Sequence, residues 1–227
     1  MLFQRDTALE DKLLKEMVVS FHEPDRKQPS VSGMIRCLTR TYYENEIKMD
    51  DTPSYSRRET QLFATGLALE KVILAGRQRV LKGEYEGIQW HIDHLGTEGD
   101  FIEFKSTRIW MVDNDSPKVP NHWQKQVLAY FKVLDITQGH FVMLHIQGNP
   151  KVGGPFPDIR AYSILTTQDE IDNNWTWIQQ RSISYLTAVK DGKPPKPFEW
   201  NDGQSKNSWE CRDCPWIGLC TAREMIE

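Results

Sequence analysis

The chain lacks most of what would place it in an easy class. It has only 4 cysteines in 227 residues, too few for a disulfide-framed secreted domain. Its first residues, MLFQRDTALEDKLLKEM, have no unbroken apolar stretch of the kind a secretory signal needs. No run approaches the roughly 20 apolar residues that cross a bilayer, so the sequence predicts a cytoplasmic protein with no membrane partner. Nor is there a basic excess: the net charge is -4 and the isoelectric point is near 5.9. A nucleic-acid partner would have to be drawn by a local groove rather than by bulk charge. Internal repeats, low-complexity tracts and a Ser/His/Asp motif are also missing. What remains is an ordinary composition, 39% hydrophobic and 26% charged, long enough for one good core.

The few cysteines are arranged tellingly. Cys37 stands alone near the front, and Cys211, Cys214 and Cys220 fall in the stretch CRDCPWIGLC. A C-x2-C pair plus a third thiol five residues further on can wrap one soft metal centre, with the fourth ligand brought from far away. Such a centre would pin the two ends of the chain around the body between them. Zinc is the other occupant of a four-thiolate site, although zinc ribbons commonly use two C-x2-C pairs and only one is present. Spacing alone leaves both open.

Along the body, helical spacing of Leu9, Leu13, Leu14, Met17 and Val18 predicts a helix over 7–20. A second is expected from Ser32 to about Tyr43, capped by Ser30 or Ser32 and carrying Cys37. A third is expected over 56–76, with Leu62, Leu69 and Ile73 on one face. From 79 to 112 the period shortens to that of paired strands, with GTEGD at 96–100 as the turn. Helix follows at 121–135, strands at 140–146 and 158–165, and a final helix over 167–189 from a Thr/Asp cap. The Pro-rich KPPKPF at 193–198 reads as a linker into the cysteine-rich tail. Helices alternating with strands around a mixed sheet predict an α/β class and a single domain.

Within this frame, a turn centred near Glu98 sets Asp93 opposite Glu103. Alternation puts Glu103 and Lys105 on one face, and Ile102 and Phe104 on the other. Two close acids repel one another, and a divalent cation resolves that repulsion. Lys105 beside it would steady charge developing on a phosphate. Gly66 lies one helical turn before Glu70, and small residues there let the helix approach the sheet closely, lowering Glu70 toward the acids. Gln126 and Tyr130, four apart in NHWQKQVLAYFKVL, share a helical face that amphipathic packing does not explain. Arg36, Arg40, Arg57, Arg58, Arg77, Arg79 and Arg108 are candidate phosphate contacts. Trp110, Tyr42 and Tyr43 are candidate stacking platforms for unpaired bases, although most of the aromatics are expected in the core.

Taken in order, Gly66-x3-Glu70, Asp93, Glu103-Phe104-Lys105 and Gln126-x3-Tyr130 resemble the motifs of RecB-like nucleases of the PD-(D/E)xK superfamily. Together with the cysteine pattern they resemble its iron–sulfur group, which includes the CRISPR-associated nuclease numbered four and the nuclease domain of AddB. The resemblance spans about residues 31–221. Where the CRISPR-associated members usually carry His, this chain has Glu70; where a Gly usually stands three residues before the Asp, it has Trp90. The leading 30 residues have no counterpart.

The resemblance implies a restriction-endonuclease-like mixed central sheet flanked by helices, with the N- and C-terminal segments joined at an iron–sulfur cluster. It divides the domain into an N-terminal extension (1–30), an iron–sulfur subdomain (31–50 with 200–221) and a nuclease core (56–190). It implies Glu70, Asp93 and Glu103 as ligands of Mg or Mn, with the Phe104 backbone carbonyl, and Lys105 as the catalytic lysine. Gln126 and Tyr130 would contact substrate, and Cys37, Cys211, Cys214 and Cys220 would hold a 4Fe-4S cluster. The activity implied is a metal-dependent DNA exonuclease, 5′ to 3′ on single strands or frayed ends, with endonuclease activity as an extension. It would serve CRISPR spacer acquisition or recombination and repair, alongside a CRISPR integrase or recombination proteins, in a cell or a virus. Two rival expectations stand beside it: a non-catalytic iron–sulfur module that binds DNA or scaffolds a partner, and a zinc-stapled RNA-binding protein.

Overall fold

The computed structural model describes residues 28–47, 57–73, 81–92, 94–95, 101–108, 119–146, 157–201, 204–212 and 214–226, with 7, 10, 12–14 and 16–17 near the front. The described residues between 7 and 17 are helical, in line with the periodicity there.

The expected helix around Cys37 is two helices. Helix α1 (Val31–Met34) is capped by Ser30, whose Oγ accepts from the Gly33 amide at 3.2 Å. Helix α2 (Leu38–Glu46) begins after Cys37, which sits at its N-cap. The break has a long-range cause. The Arg181 guanidinium donates to the Met34 and Arg36 carbonyls, and the Cys37 amide donates to Glu210 Oε1 at 2.7 Å. Groups that would have continued the helix are bonded to the far end of the chain instead.

Helix α3 (Arg57–Ile73) follows, and then the strand pairing departs from the symmetric hairpin expected over 79–112. The tight hairpin is β1 (Leu81–Tyr85) with β2 (Ile88–Ile92), turning at Glu86 and Gly87, whose φ angles are 50° and 77°. Two consecutive left-handed residues make the two-residue turn that matches strand twist. Glu86 is held there by its carboxylate, which accepts from Trp175 Nε1 at 2.6 Å and Gln179 Nε2 at 2.7 Å. Strand β3 (Ile102–Thr107) leaves that hairpin and pairs in parallel with β4 (Gln138–His145). The Leu95–Phe101 antiparallel bridge keeps the register centred on residue 98, so part of the expected pairing is present beside the edge of β3.

Helix α4 (Asn121–Leu134) makes the crossover that a parallel pair requires. Strand β5 (Asp158–Leu165) then runs antiparallel to β4, completing a mixed three-stranded sheet in the order β3-β4-β5. Helix α5 (Gln168–Asp191) opens with a capping box between Thr167 and Glu170 and ends at Gly192 in the left-handed conformation. The short helices α6 (Trp209–Arg212) and α7 (Ile217–Glu224) carry Cys211 and Cys220, with Cys214 between them.

Helices cover both faces of the three-stranded sheet. On one, Phe141 and Met143 join Phe101, Val127, Tyr130 and Phe131 in the main core, which α5 extends through Ile171, Trp175 and Ile178. On the other, Phe104 and Leu144 pack with Leu69 and Ile73 of α3. The close approach expected at Gly66 is present: a Cβ there would lie 3.1 Å from Ser106 Oγ. Leu62, expected on the same buried face, is 37% exposed. Among the described residues no helix is long and apolar enough to cross a membrane.

Candidate active site and cysteine cluster

Strand β3 sets up the first pair. Glu103 is 4% exposed, and Lys105 Nζ lies 2.5 Å from its Oε1, as strand alternation requires of residues two apart. Phe101 belongs to the same alternation, and its ring packs on Tyr130 of α4, with centroids 6.0 Å apart. Tyr130 and Gln126 therefore serve the sheet face that carries Glu103 and Lys105, with Gln126 Nε2 donating to the Tyr130 hydroxyl at 2.8 Å. Phe104, between the acid and the lysine, turns its ring to the α3 side.

The second pair was not foreseen. Glu70 Oε1 on α3 accepts from Nε2 of His94 at 2.8 Å, and His94 is 2% exposed. Its other ring nitrogen, Nδ1, is buried without a hydrogen-bond partner. The sequence hinted at this residue only through its place immediately after Asp93. Asp93 itself lies outside the described residues. Among the described residues no three His, Cys, Asp or Glu side chains are grouped as ligands of a metal ion. Among the described residues the candidate acids stand in two pairs, Glu103 with Lys105 and Glu70 with His94.

The four cysteines, remote in sequence, are neighbours in space. All are free thiols, with Cys37, Cys211 and Cys220 buried and Cys214 half-buried. Burial pushes every one of them above the ordinary thiol value, and the others' charge adds to this: Cys220, which feels Cys37, Cys214 and Cys211, is raised to about 12. The surroundings are built to hold this set. Asn201 Nδ2 lies 3.2 Å from Cys211 Sγ. Arg181, 5% exposed, also donates to the Trp200 carbonyl at 3.0 Å, and desolvation lowers its own pKa to about 10. Arg181 and Glu210, which tie α1 and α2 to the tail, carry no motif that sequence reading could have caught.

A pH dependence follows from these thiols. Their folded-state pKa values lie above the unfolded value near 9, so the ligand-free fold binds protons more tightly than the unfolded chain does. The resulting stability is fully present below pH 9 and is lost as pH rises towards about 12. Thermal melts of ligand-free protein between pH 7 and 11 should show the midpoint falling on the alkaline side, and replacing Cys220 by serine should flatten that fall.

Of the candidate stacking residues, Tyr42 and Tyr43 are core at 7% and 4% exposed, and Tyr43 packs on Trp216 with centroids 5.3 Å apart. They are not platforms for bases. Trp110, Arg77, Arg79 and the side chains of Arg57 and Arg58 lie outside the described residues. Arg40 is paired with Glu44 at 2.7 Å, and Arg36 and Arg108 are exposed.

No protein-family model matches the chain, and no curated protein does. Among solved structures it is similar to SSO0001, with a TM-score of 0.57 at 19% identity over 95% of this chain and 96% of that one. It is also similar to a phage-related exonuclease from Haemophilus somnus 129PT, with a TM-score of 0.42 at 12% identity over 78% of this chain and 100% of that one. The likeness to SSO0001 shows a shared overall fold; the second is too distant to add to it. The class defined is a mixed α/β protein, a mixed three-stranded sheet flanked by helices.

Proposed function

We propose that this chain is a metal-dependent nuclease of the PD-(D/E)xK kind, hydrolysing phosphodiester bonds in DNA. The observation that carries the reading is the buried Glu103 paired with Lys105 on β3, with Gln126 and Tyr130 serving the same sheet face. A carboxylate so deeply buried costs several kcal/mol unless a cation answers it, and Lys105 does so here. A lysine on the same face as an acidic metal ligand is also the arrangement that phosphodiester hydrolysis uses. A mixed sheet between helices is compatible with a restriction-endonuclease-like core.

In this reading Glu70, Asp93, Glu103 and the Phe104 carbonyl would be the oxygen donors that hold a Mg or Mn ion. An ion held there would supply an activated water and neutralise charge on the phosphate. Lys105 steadies the negative charge that develops on the scissile phosphate, while Gln126 and Tyr130 hold the strand in register with it. The same reading makes the substrate DNA with single-stranded or frayed ends, cut exonucleolytically from the 5′ end, in CRISPR adaptation or in recombination and repair.

The four cysteines fit a 4Fe-4S cluster through the chemistry of the donor set: four thiols in one buried neighbourhood, each raised by the others. Its proposed role is to fasten the tail to α1 and α2.

The test is to purify the protein without oxygen, record the visible spectrum, and assay single-stranded DNA with Mg, Mn and EDTA. Broad absorbance near 400 nm is the signature sought, roughly where thiolate-to-iron charge transfer falls. Cleavage that needs Mg or Mn and stops with EDTA is the expected result. A coloured protein that binds DNA without cutting it would favour the non-catalytic iron–sulfur module, and a colourless one without metal-stimulated cleavage would favour the zinc-stapled RNA-binding protein.

A further inference from the structure

A second place on the molecule gathers groups that the proposed hydrolysis does not use. A cavity of about 460 Å³ lies between the start of α4, the middle of α5 and the stretch that carries Trp200 and Asn201. Cavities of about 300–1,000 Å³ hold small ligands. Trp177 and Trp200 line it, and both are half-buried, so each keeps part of its indole open. Two cations crowd one of these rings. Lys125 Nζ lies 3.6 Å from the Trp177 centroid, and Arg181 Cζ lies 4.5 Å from the same centroid. Like charges so close repel, and an anion beside them relieves that. The carbonyl bonds of Arg181 use only Nε and Nη2, which leaves the N–H groups of Nη1 to donate to a ligand. Helix α4 also begins here, at Pro120 with no side-chain cap, and the positive end of a helix favours a phosphate. The acid among the described lining residues, Glu199, is exposed, so water screens its charge. Asn121 and Gln204 bring side-chain amides, which pair a donor with an acceptor as the edges of nucleobases do. An exposed aromatic adjoins the cavity. Trp209 is 48% exposed and stacks on the lining residue His122, with centroids 4.6 Å apart and planes 30° from parallel.

We propose that this cavity binds one unpaired nucleotide of a DNA strand. Its phosphate lies by Lys125 and Arg181, its base against the indoles of Trp177 and Trp200, and the neighbouring base on Trp209. This rests on the nuclease reading above and names where the strand is gripped, away from Glu103 and Lys105. Lys125 is next in the chain to Gln126, so one helix, α4, serves both places. A base inside a duplex already has its faces stacked, so the cavity selects single strands. Every base has a π-face, so the grip is tolerant of sequence, which suits an exonuclease that meets each base in turn.

Fluorescence anisotropy of a labelled oligodeoxythymidine, titrated with the full chain in EDTA so that nothing is cut, tests this. Deoxythymidine monophosphate is the second probe. Trp177→Leu and Trp209→Ala should each weaken oligonucleotide binding about 10-fold and leave its salt dependence unchanged. Lys125→Gln should weaken it too, and should lower the slope of log K against log salt by about 0.7, the loss of one phosphate contact on a single strand. The monophosphate should bind far more weakly than the oligonucleotide and be indifferent to Trp209→Ala. No binding by the wild-type chain overturns the proposal, as does oligonucleotide binding unchanged in Trp177→Leu and Lys125→Gln. A monophosphate that binds as tightly as the strand also overturns it, and makes the cavity a site for a free nucleotide. If Trp177→Leu fails to fold, the salt slope of Lys125→Gln decides. Failure here is separable from failure of the nuclease reading. Cleavage that requires Lys105, with binding indifferent to these variants, removes only the role of the cavity; the expected binding losses without any metal-dependent cleavage remove only the nuclease.

Discussion

Replacing Lys105 by alanine should lower metal-dependent cleavage of single-stranded DNA by about 100- to 1,000-fold, the usual cost of removing one preorganised charge from a developing oxyanion. The loss should appear in kcat more than in KM, because the ammonium acts on charge that forms during reaction rather than on the bound strand. Some stability will go as well, since Lys105 Nζ lies 2.5 Å from Glu103 Oε1 and the variant leaves a buried carboxylate without that cation. Added Mn should restore much of that stability without restoring cleavage. Lys105→Arg keeps the charge but not its position, and should recover the melting temperature better than the rate. Undiminished cleavage in Lys105→Ala would place the chemistry elsewhere on the molecule. Melting curves with and without Mn, read beside initial rates, separate these outcomes.

The largest effect on stability is expected at Arg181. Its guanidinium serves three backbone carbonyls, of Met34, Arg36 and Trp200, and its charge faces Glu210 and Cys37 in a desolvated place. Truncation to methionine strands those carbonyls and removes the cation that answers buried Glu210. Breaking a buried charge pair from one side costs about 3–5 kcal/mol. In a protein of this length that is a fall in melting temperature on the order of 10 °C. The contrast is Lys132→Ala. Lys132 reaches Asp172 at 2.7 Å, and that carboxylate side chain is 48% exposed; an ion pair so open to water is worth about 1 kcal/mol at most. Calorimetry on the two variants should rank them in that order. A loss at Arg181 no larger than at Lys132 would show that the chain ends are held together mainly by something else.

How much of this was legible in the sequence depends on how far each interaction reaches. Helix α5 was readable to within two residues, because Thr167 and Glu170 cap it locally and Gly192 ends it locally. Strand β5 was readable too, from its own eight residues. The pairing of β3 was not: its parallel partner β4 lies beyond a helix, and nothing in IEFKST names it. The turn at Glu86–Gly87 was passed over because glutamate is a poor left-handed residue on its own. What holds it there is Trp175 and Gln179, about ninety positions away in α5. The break between α1 and α2 has the same kind of cause. At the candidate site, Glu103 with Lys105 and Gln126 with Tyr130 followed from two- and four-residue spacing. His94 was missed because a histidine beside an aspartate has no signature until the Glu70 carboxylate reaches it from α3.

The bond between the Cys37 amide and Glu210 spans 173 positions, and it sets an order of events during biosynthesis. The first third of the chain can form its local helices as it leaves the ribosome, but its buried amide has no acceptor until residue 210 has been made. Completion of the fold around the cysteines therefore waits for the tail, and a nascent chain stalled before residue 210 should remain open to proteolysis at the junction between α1 and α2.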